Sequence, residues 1–381
     1  MEYPIPKNSL EICLVSTTPY PGVYFPELRN IAFELENIGK NIVIIAIKQS
    51  FNDIDFEIAG KKRIYRLSFF RRIEQETFFM RCAFIIRKEN PSVIHIFWRF
   101  GAALLPLIFA FSSKRFIIDI RTGSVSNHLI RRYIENTLLR IESLFFHRRI
   151  VVDEPLAKKL GIRSDEYLPQ GIPSHMINRR HSSNELHAIR KKLGISNNDM
   201  LGIYVGTSHL RNLDIFFEGC RQAKKAVPSL KIIILGDALQ DEYLHELIKS
   251  TELKNYIILL GNVPNENVAS YIKIAHFGIS FVPMTAGFDK QQSIKILEYI
   301  ANDLPVLATK TSSNQSFVYE GQNGVLIDDT AEDVSSGIRR ISFLLNDREF
   351  HHHLASFNEQ FIKAFSWKKL VQDKLLPLYE R

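Results

Sequence analysis

Cysteine is scarce in this chain. Its 381 residues include three, Cys13, Cys82 and Cys220, far apart and each inside an apolar run. That pattern excludes a disulfide scaffold and a thiolate metal site, and reads as buried thiols in a reducing compartment. Long hydrophobic runs are missing as well. The most apolar stretch, around GAALLPLIFAFSS, is too short to span a bilayer and holds a proline. The first residues, MEYPIPKNSL, have no basic region leading into an apolar one, so no secretory leader is expected and the reading is a cytoplasmic protein. There is no low-complexity tract and no short-period repeat. Neither Gly-x-Gly-x-x-Gly nor a Walker loop occurs, so any phosphate must be held by other groups. The one Asp-x-Asp, in NDIDFE, lies in a polar stretch read as a loop, so no metal is expected.

What is present is ordinary globular composition, 45% hydrophobic and 24% charged, with a formal net charge of +8 that favours anionic partners. The basic residues cluster. Lys61 to Ser92, KKRIYRLSFFRRIEQETFFMRCAFIIRKENPS, interleaves them with Phe and Tyr, and a second group comprises Arg131, Arg132, Arg140, Arg148 and Arg149. Such segments suit an anionic bilayer surface. They also suit nucleic acid. Equally, they suit two amphipathic helices that pack an aromatic stripe into a core.

Short apolar runs alternate with helical patterns, the mark of a parallel α/β architecture. EICLVSTT, NIVIIAIK, PSVIHIFW, RFIIDIRTG and RRIVVDEP are the strands of a first series. LGIYVGTS, KIIILGDA, YIILLGNVP, FGISFVPM and LPVLATK are those of a second. The boundary is expected near residues 178 to 195, after the connector YLPQGIPSHMINRR. Two Rossmann-like domains follow: 1–180, joined by a C-terminal helix of about 358–381, and 196–350. In such sheets ligands bind at the carboxyl ends of the strands.

Three loops in the second series stand at those ends. In YVGTSHLRNLD, Gly206 allows close backbone approach, and Arg211 offers a planar fork suited to a diphosphate. In LGNVPNENVASYI, the backbone of Asn262 and Val263 offers a rest for a base. In FVPMTAGFDKQQSIKILEY, Gly287 and Lys290 precede a helix that Ser293 is placed to cap, whose first turn carries Ile294 and Lys295 and which has Glu298 one turn in. Lys295 and Glu298 share a face, where free N–H groups also favour anions. Taken alone, the pair reads equally as an intrahelical ion pair on a solvated face.

Together, YVGTSHLRNLD and SIKILEYIANDLPVLAT resemble the GT-B glycosyltransferases, specifically glycosyltransferase family 4. The second is similar to the family form Ser-Pro-x-Lys-x-x-Glu-Tyr-Met-Ala-x-Gly-x-Pro-Val. PSVIHIFW, YLPQGIPSHM and FSWKKLVQDKLLPLYER also look like family landmarks. The resemblance implies two Rossmann-like domains facing across a cleft, with the last helix crossing back to the first. It implies an enzyme moving a sugar from a nucleotide-diphosphate sugar to a saccharide or lipid-linked saccharide. It implies retention of configuration, no bound metal and no cofactor, and no nucleic-acid partner. By the same resemblance Arg211 and Lys295 hold the diphosphate and Glu298 the ribose, while Gly206, Thr207, Asn262, Val263, Gly287, Lys290, Ser293 and Ile294 complete the donor site. Bacterial surface polysaccharide assembly, at the inner face of the plasma membrane, is the setting it suggests.

The sequence departs from the family in places. The pattern Glu-x7-Glu is broken, since Lys290 stands eight places before Glu298, with Asp289 beside it as a candidate substitute. Asp303 and Leu304 replace the glycine region before Pro-Val, and the glycine loop after the first strand is TTPYPGVYF, with only Gly22. On the acceptor side the expectation falls on Gly22, Arg121, Thr122 and Asp119, the last as base or orienting group, or else as a loop cap. A nucleotide-sugar epimerase and a non-catalytic module binding a nucleotide sugar or a membrane are the alternatives.

Overall fold

The computed structural model describes residues 11–20, 26–124, 126, 128–178, 182–285, 288–289 and 293–380. It divides into two compact units, Met1–Gln170 with Trp367–Arg381, and Gly171–Ser366. Gly22, Gly287 and Lys290 lie outside the described residues.

The first unit is built on β1 (Glu11–Pro19), β2 (Asn41–Ile47), β3 (Phe56–Ala59), β4 (Lys62–Leu67), β5 (Val93–Phe97), β6 (Arg115–Ile120), β7 (Arg148–Val151) and β8 (Glu166–Tyr167). Their order is β3-β4-β2-β1-β5-β6-β7-β8, parallel except for the antiparallel pair β3 and β4. Helices cover both faces, which is why central strands such as VIHIF are buried along their whole length. One face packs Phe78, Phe79, Leu105 and Leu139 over Val15, Ile45, Ile96 and Ile118. The other packs Leu28, Ile31 and Leu35 with Trp367, Val371 and Leu375 of the final segment.

The basic aromatic segment splits between two structures. Lys62–Leu67 is strand β4, not helix. The helix Phe78–Glu89 buries Phe78, Phe79, Cys82, Ala83, Ile85 and Ile86. Its aromatic stripe is therefore largely core, as the amphipathic alternative expects.

The second unit carries β9 (Met200–Val205), β10 (Leu230–Leu235), β11 (Ile257–Gly261), β12 (Phe277–Ser280), β13 (Val306–Thr309) and β14 (Gly324–Ile327). Their order is β11-β10-β9-β12-β13-β14, all parallel. This is the doubly wound arrangement, which reverses direction between β9 and β12 and opens a crevice at their carboxyl ends.

The unit boundary falls earlier than the composition of the connector suggests. Ile172 and Met176 belong to a core of the second unit. Ile172 also donates its N–H to the Phe365 carbonyl at 2.7 Å. The helix Arg348–Phe365 stays with the second unit, and only Trp367 onward joins the first. Backbone pairing at Ile172 and Ser366, invisible in the sequence pattern, ties both ends of this unit together.

Candidate functional site

In the second unit the loops after β9, β10 and β11 are stitched backbone to backbone. Gly206 N–H donates to the Leu235 carbonyl at 2.9 Å, and Gly236 N–H to the Gly261 carbonyl at 3.0 Å. Gly206 has φ +139°, and a Cβ there would lie 3.2 Å from Lys295 Nζ. A Cβ on Gly236, at φ +144°, would meet the Gly206 carbonyl oxygen at 1.9 Å. Gly236 needs glycine by conformation and by space, and Gly206 by conformation.

Lys295 reaches this loop from the first turn of the helix Ile294–Ile300, which follows β12. Its Nζ lies 3.9 Å from the centroid of the Tyr204 ring, a cation–π contact. The Tyr204 hydroxyl donates to the Thr207 carbonyl at 2.7 Å, fixing the ring beneath the loop. Burial, and then the positive charge of Arg211, push the Lys295 amine down to about 7, with Glu298 pulling the other way. Arg211, Lys295 and Glu298 thus form one electrostatic group beside Gly206, at the switch between β9 and β12.

Arg211 is held by strained backbone. Its neighbours Leu210 and Asn212 have φ +57° and +49°, a region costly for a bulky residue such as leucine. The guanidinium lies 4.3 Å from the centroid of the Phe288 ring. Its Nε is buried without a hydrogen-bond partner. Asp237 supports the same loop, accepting the Ser208 N–H at 2.5 Å. Tyr204, Leu210, Asp237 and Phe288 were not legible as site residues. The aromatics read as core, and a left-handed leucine has no sequence signal.

Other expected donor residues fall around this group. Thr207 and Asn262 are exposed, and Val263 is half-buried after β11. Ile294 opens the helix. Ser293 stands at the N-cap position but does not cap: its hydroxyl pairs with Ser280 Oγ at 3.1 Å instead. Asp289 also departs from expectation. Its carboxylate is taken up by Ser312, whose N–H donates at 2.8 Å and whose hydroxyl reaches both oxygens. It braces two loops, which fits poorly with substituting for the missing family glutamate.

In the first unit Asp119 stands at the carboxyl end of β6, as expected, but is buried rather than open to a ligand. It is the fifth residue of the six in β6, with no exposed surface. Arg121 Nη2 donates to it at 2.7 Å, and His95 Nε2 lies 3.2 Å away. His95 Nδ1 is in turn 2.6 Å from the Tyr379 hydroxyl. Burial pushes the Asp119 carboxyl up, but the Arg121 guanidinium and then His95 outweigh it and hold it below the usual range. Arg121 donates a further bond to the Leu168 carbonyl at 3.0 Å and lies 5.8 Å from the Trp367 ring centroid. The geometry makes this a buried brace between β5, β6 and the final segment, not a base open to a substrate. Thr122, just beyond it, is exposed.

Among the described residues, no group of three or more His, Cys, Asp or Glu side chains is placed to hold a metal ion.

Residues 187–361 match the family described as Glycosyl transferases group 1. The second unit carries a group 1 glycosyltransferase domain. The chain is 25% identical over 268 residues to an alpha-monoglucosyldiacylglycerol synthase of Acholeplasma laidlawii, covering 65% of this chain and 66% of that one, just under two thirds of its length. In structure it is similar to a glycosyltransferase from Rickettsia africae, with TM-score 0.78, 16% identity and 98% of both chains covered. It is also similar to Anabaena HepE, solved in complex with UDP and glucose, with TM-score 0.71, 15% identity, and 98% and 100% of the two chains covered. These likenesses establish the GT-B fold, with the group 1 domain bearing the Gly206, Arg211, Lys295 and Glu298 group.

Proposed function

We propose that the protein is a glycosyltransferase that moves a sugar from a nucleotide-diphosphate sugar to a saccharide or lipid-linked saccharide. The observation that carries this reading is the placement of Lys295 and Arg211 beside the backbone of Gly206, at the switch between β9 and β12. Two cations and a glycine loop at that crevice suit a diphosphate. Glu298, three residues after Lys295, is the candidate grip for the ribose hydroxyls, with Asn262 and Val263 beside the base.

In the reaction, the bond from the anomeric carbon to the diphosphate oxygen breaks and its electrons leave with the diphosphate. The acceptor oxygen bonds to that carbon, and its proton passes to the departing phosphate. Arg211 and Lys295 stabilise the charge gathering on the leaving group. The helix Ile294–Ile300 has only seven residues, so the two side chains carry more of this work than its dipole. The reading includes retention of configuration and needs no metal or resident cofactor. Incubation with a panel of nucleotide sugars, in chelator and without, tests it. Release of one nucleoside diphosphate in both conditions supports it. Epimerised sugar, or no turnover with any donor, refutes it.

The same reading places the protein in the cytoplasm, working on surface polysaccharide at the inner face of the plasma membrane. The support is the helix Leu129–Ser143. Leu129, Ile130, Tyr133 and Ile134 are 51 to 77% exposed. With Ile141 they fall within an arc of about 140° on the helix. The apolar side thus faces outward, with exposed Arg140 within its arc and exposed Arg131 beside it. That combination matches an anionic bilayer surface. No described helix is long and apolar enough to cross a membrane.

A further inference from the structure

A cavity of about 390 Å³ opens in the first unit, lined by Tyr20, Gln49, Asn52, Asp53, Glu57 and Arg66. It lies where β1 and β2 end, against β3 and β4. In a parallel sheet this is the edge where ligands are received. In the sequence these residues are scattered over TTPYPGVYF, the polar stretch around NDIDFE and the basic aromatic segment, and nothing there brings them together.

The wall of the cavity is firmly built. Arg66, 8% exposed, donates from Nε to the Tyr20 carbonyl at 2.8 Å and from Nη2 to Glu57 Oε2 at 2.7 Å. Asp53 Oδ2 accepts the backbone N–H groups of Gln49 at 2.6 Å and Ser50 at 3.1 Å, closing the loop after β2. Asp53 Oδ1 and Glu57 Oε1 accept no hydrogen bond from the described residues, and both remain as acceptors. The Tyr20 phenol is pushed up to about 12, by burial first and the charge of Glu36 next, so it stays a donor. Gln49 and Asn52 are exposed and present amides, which donate and accept. Ile54 and the Tyr20 ring add an apolar surface.

We infer that this cavity binds an uncharged sugar residue. Sugar hydroxyls each donate and accept, and need a wall that offers both. The C–H face of the ring needs an apolar neighbour. The wall carries two carboxylates and one guanidinium, and that guanidinium is already engaged with Glu57 and the Tyr20 carbonyl. The field therefore opposes phosphates and uronates and leaves neutral sugars favoured. That the sugar is the acceptor's terminal residue rests on the transferase reading; that the cavity binds sugar does not.

Saturation-transfer NMR on the full chain tests it, using methyl glycosides of glucose, galactose and N-acetylglucosamine against glucuronate and glucose 6-phosphate. UDP titration of the same protein is run alongside. The neutral glycosides are expected to bind, and the two anions to bind at least tenfold more weakly. Asn52→Ala with Gln49→Ala, both on the exposed loop, is expected to weaken glycoside binding about tenfold, with UDP affinity and Tm unchanged. Glu57→Gln is expected to narrow the discrimination against anions. Absence of glycoside binding, equal binding of the anions, or full binding by the double variant overturns the inference. Failure of UDP to bind while glycosides still do strikes the transferase reading instead.

Discussion

The ammonium of Lys295 lies 3.9 Å from the centroid of the Tyr204 ring, on a half-buried side chain beside the loop after β9. Its proton is held loosely there, with the amine down at about 7 through burial and the nearby Arg211. A diphosphate arriving beside it favours the charged form, so binding takes up a proton where the free amine is neutral. Donor affinity is therefore expected to fall as pH rises above about 7, by up to about tenfold per unit. Calorimetry with a nucleotide sugar across pH 6 to 9 checks this. Lys295→Met should remove the slope, and a wild-type affinity flat over that range would contradict the placement.

The same shift has a consequence for stability. A lysine free to water titrates near 10.4, so between about 7 and 10 the unfolded chain holds a proton that the folded one lacks. Stability is then expected to rise with pH across that window through this group. Lys295→Met, which has no charge to bury, is expected to show a smaller rise. Thermal melts of both proteins at pH 7 and 9 measure the difference.

Glu298→Gln keeps the shape of the side chain and removes its charge. Loss of a charged hydrogen bond to a ribose hydroxyl costs about 1.5–3 kcal/mol, or roughly ten- to a hundredfold in donor KM. The fold should be untouched, and the apparent Lys295 titration should fall further, because Glu298 pulls that amine up. Steady-state kinetics with a single donor measures the first effect. An unchanged KM would make Glu298 no more than an ion-pair partner on its helix.

Asp119 is expected to matter for stability and not for chemistry. Asp119→Ala leaves Arg121 and His95 facing an empty place in the core, and breaking such a buried pair costs about 3–5 kcal/mol. Its folded carboxyl is held below the ordinary range. The stabilisation it contributes is thus complete above the unfolded value near 3.9, and is lost as pH falls through the folded value. Acid unfolding of wild type and Asp119→Asn should differ in that window. The rate per folded molecule should be retained in Asp119→Asn, and a collapse of kcat with an intact fold would restore a chemical role.

The outward stripe on the helix Leu129–Ser143 leads to a test with vesicles. Ile130→Ser with Ile134→Ser removes apolar surface that touches water, so stability should move by no more than about 0.5 kcal/mol. Sedimentation with anionic vesicles should drop several-fold, and Arg131→Glu should weaken it further and reduce its sensitivity to salt. Equal sedimentation with neutral and anionic lipid would sink the membrane reading.

Sequence alone determined the α/β class, most strands and the two-part organisation, and it singled out Gly206, Arg211, Lys295 and Glu298 in the second unit. A strand buried on both faces is a continuous apolar run, and a glycine before an arginine or a lysine three residues before a glutamate keeps its chemical meaning in any fold. Short or polar strands escaped: β3, β8 and β14 are edge strands of two to four residues, and β4, one place in from the edge, mixes basic and apolar residues in KRIYRL. Tertiary structure decided which charges meet water. Asp119 has the same sequence signature as a substrate-facing acid, yet Tyr379, which lies 260 residues further along, closes over it through His95. The helix Phe78–Glu89 and the helix Leu129–Ser143 share basic and apolar composition, and one turns its apolar face to the core while the other turns it out. Burial depends on what lies opposite a side chain in space, and a linear pattern does not contain that.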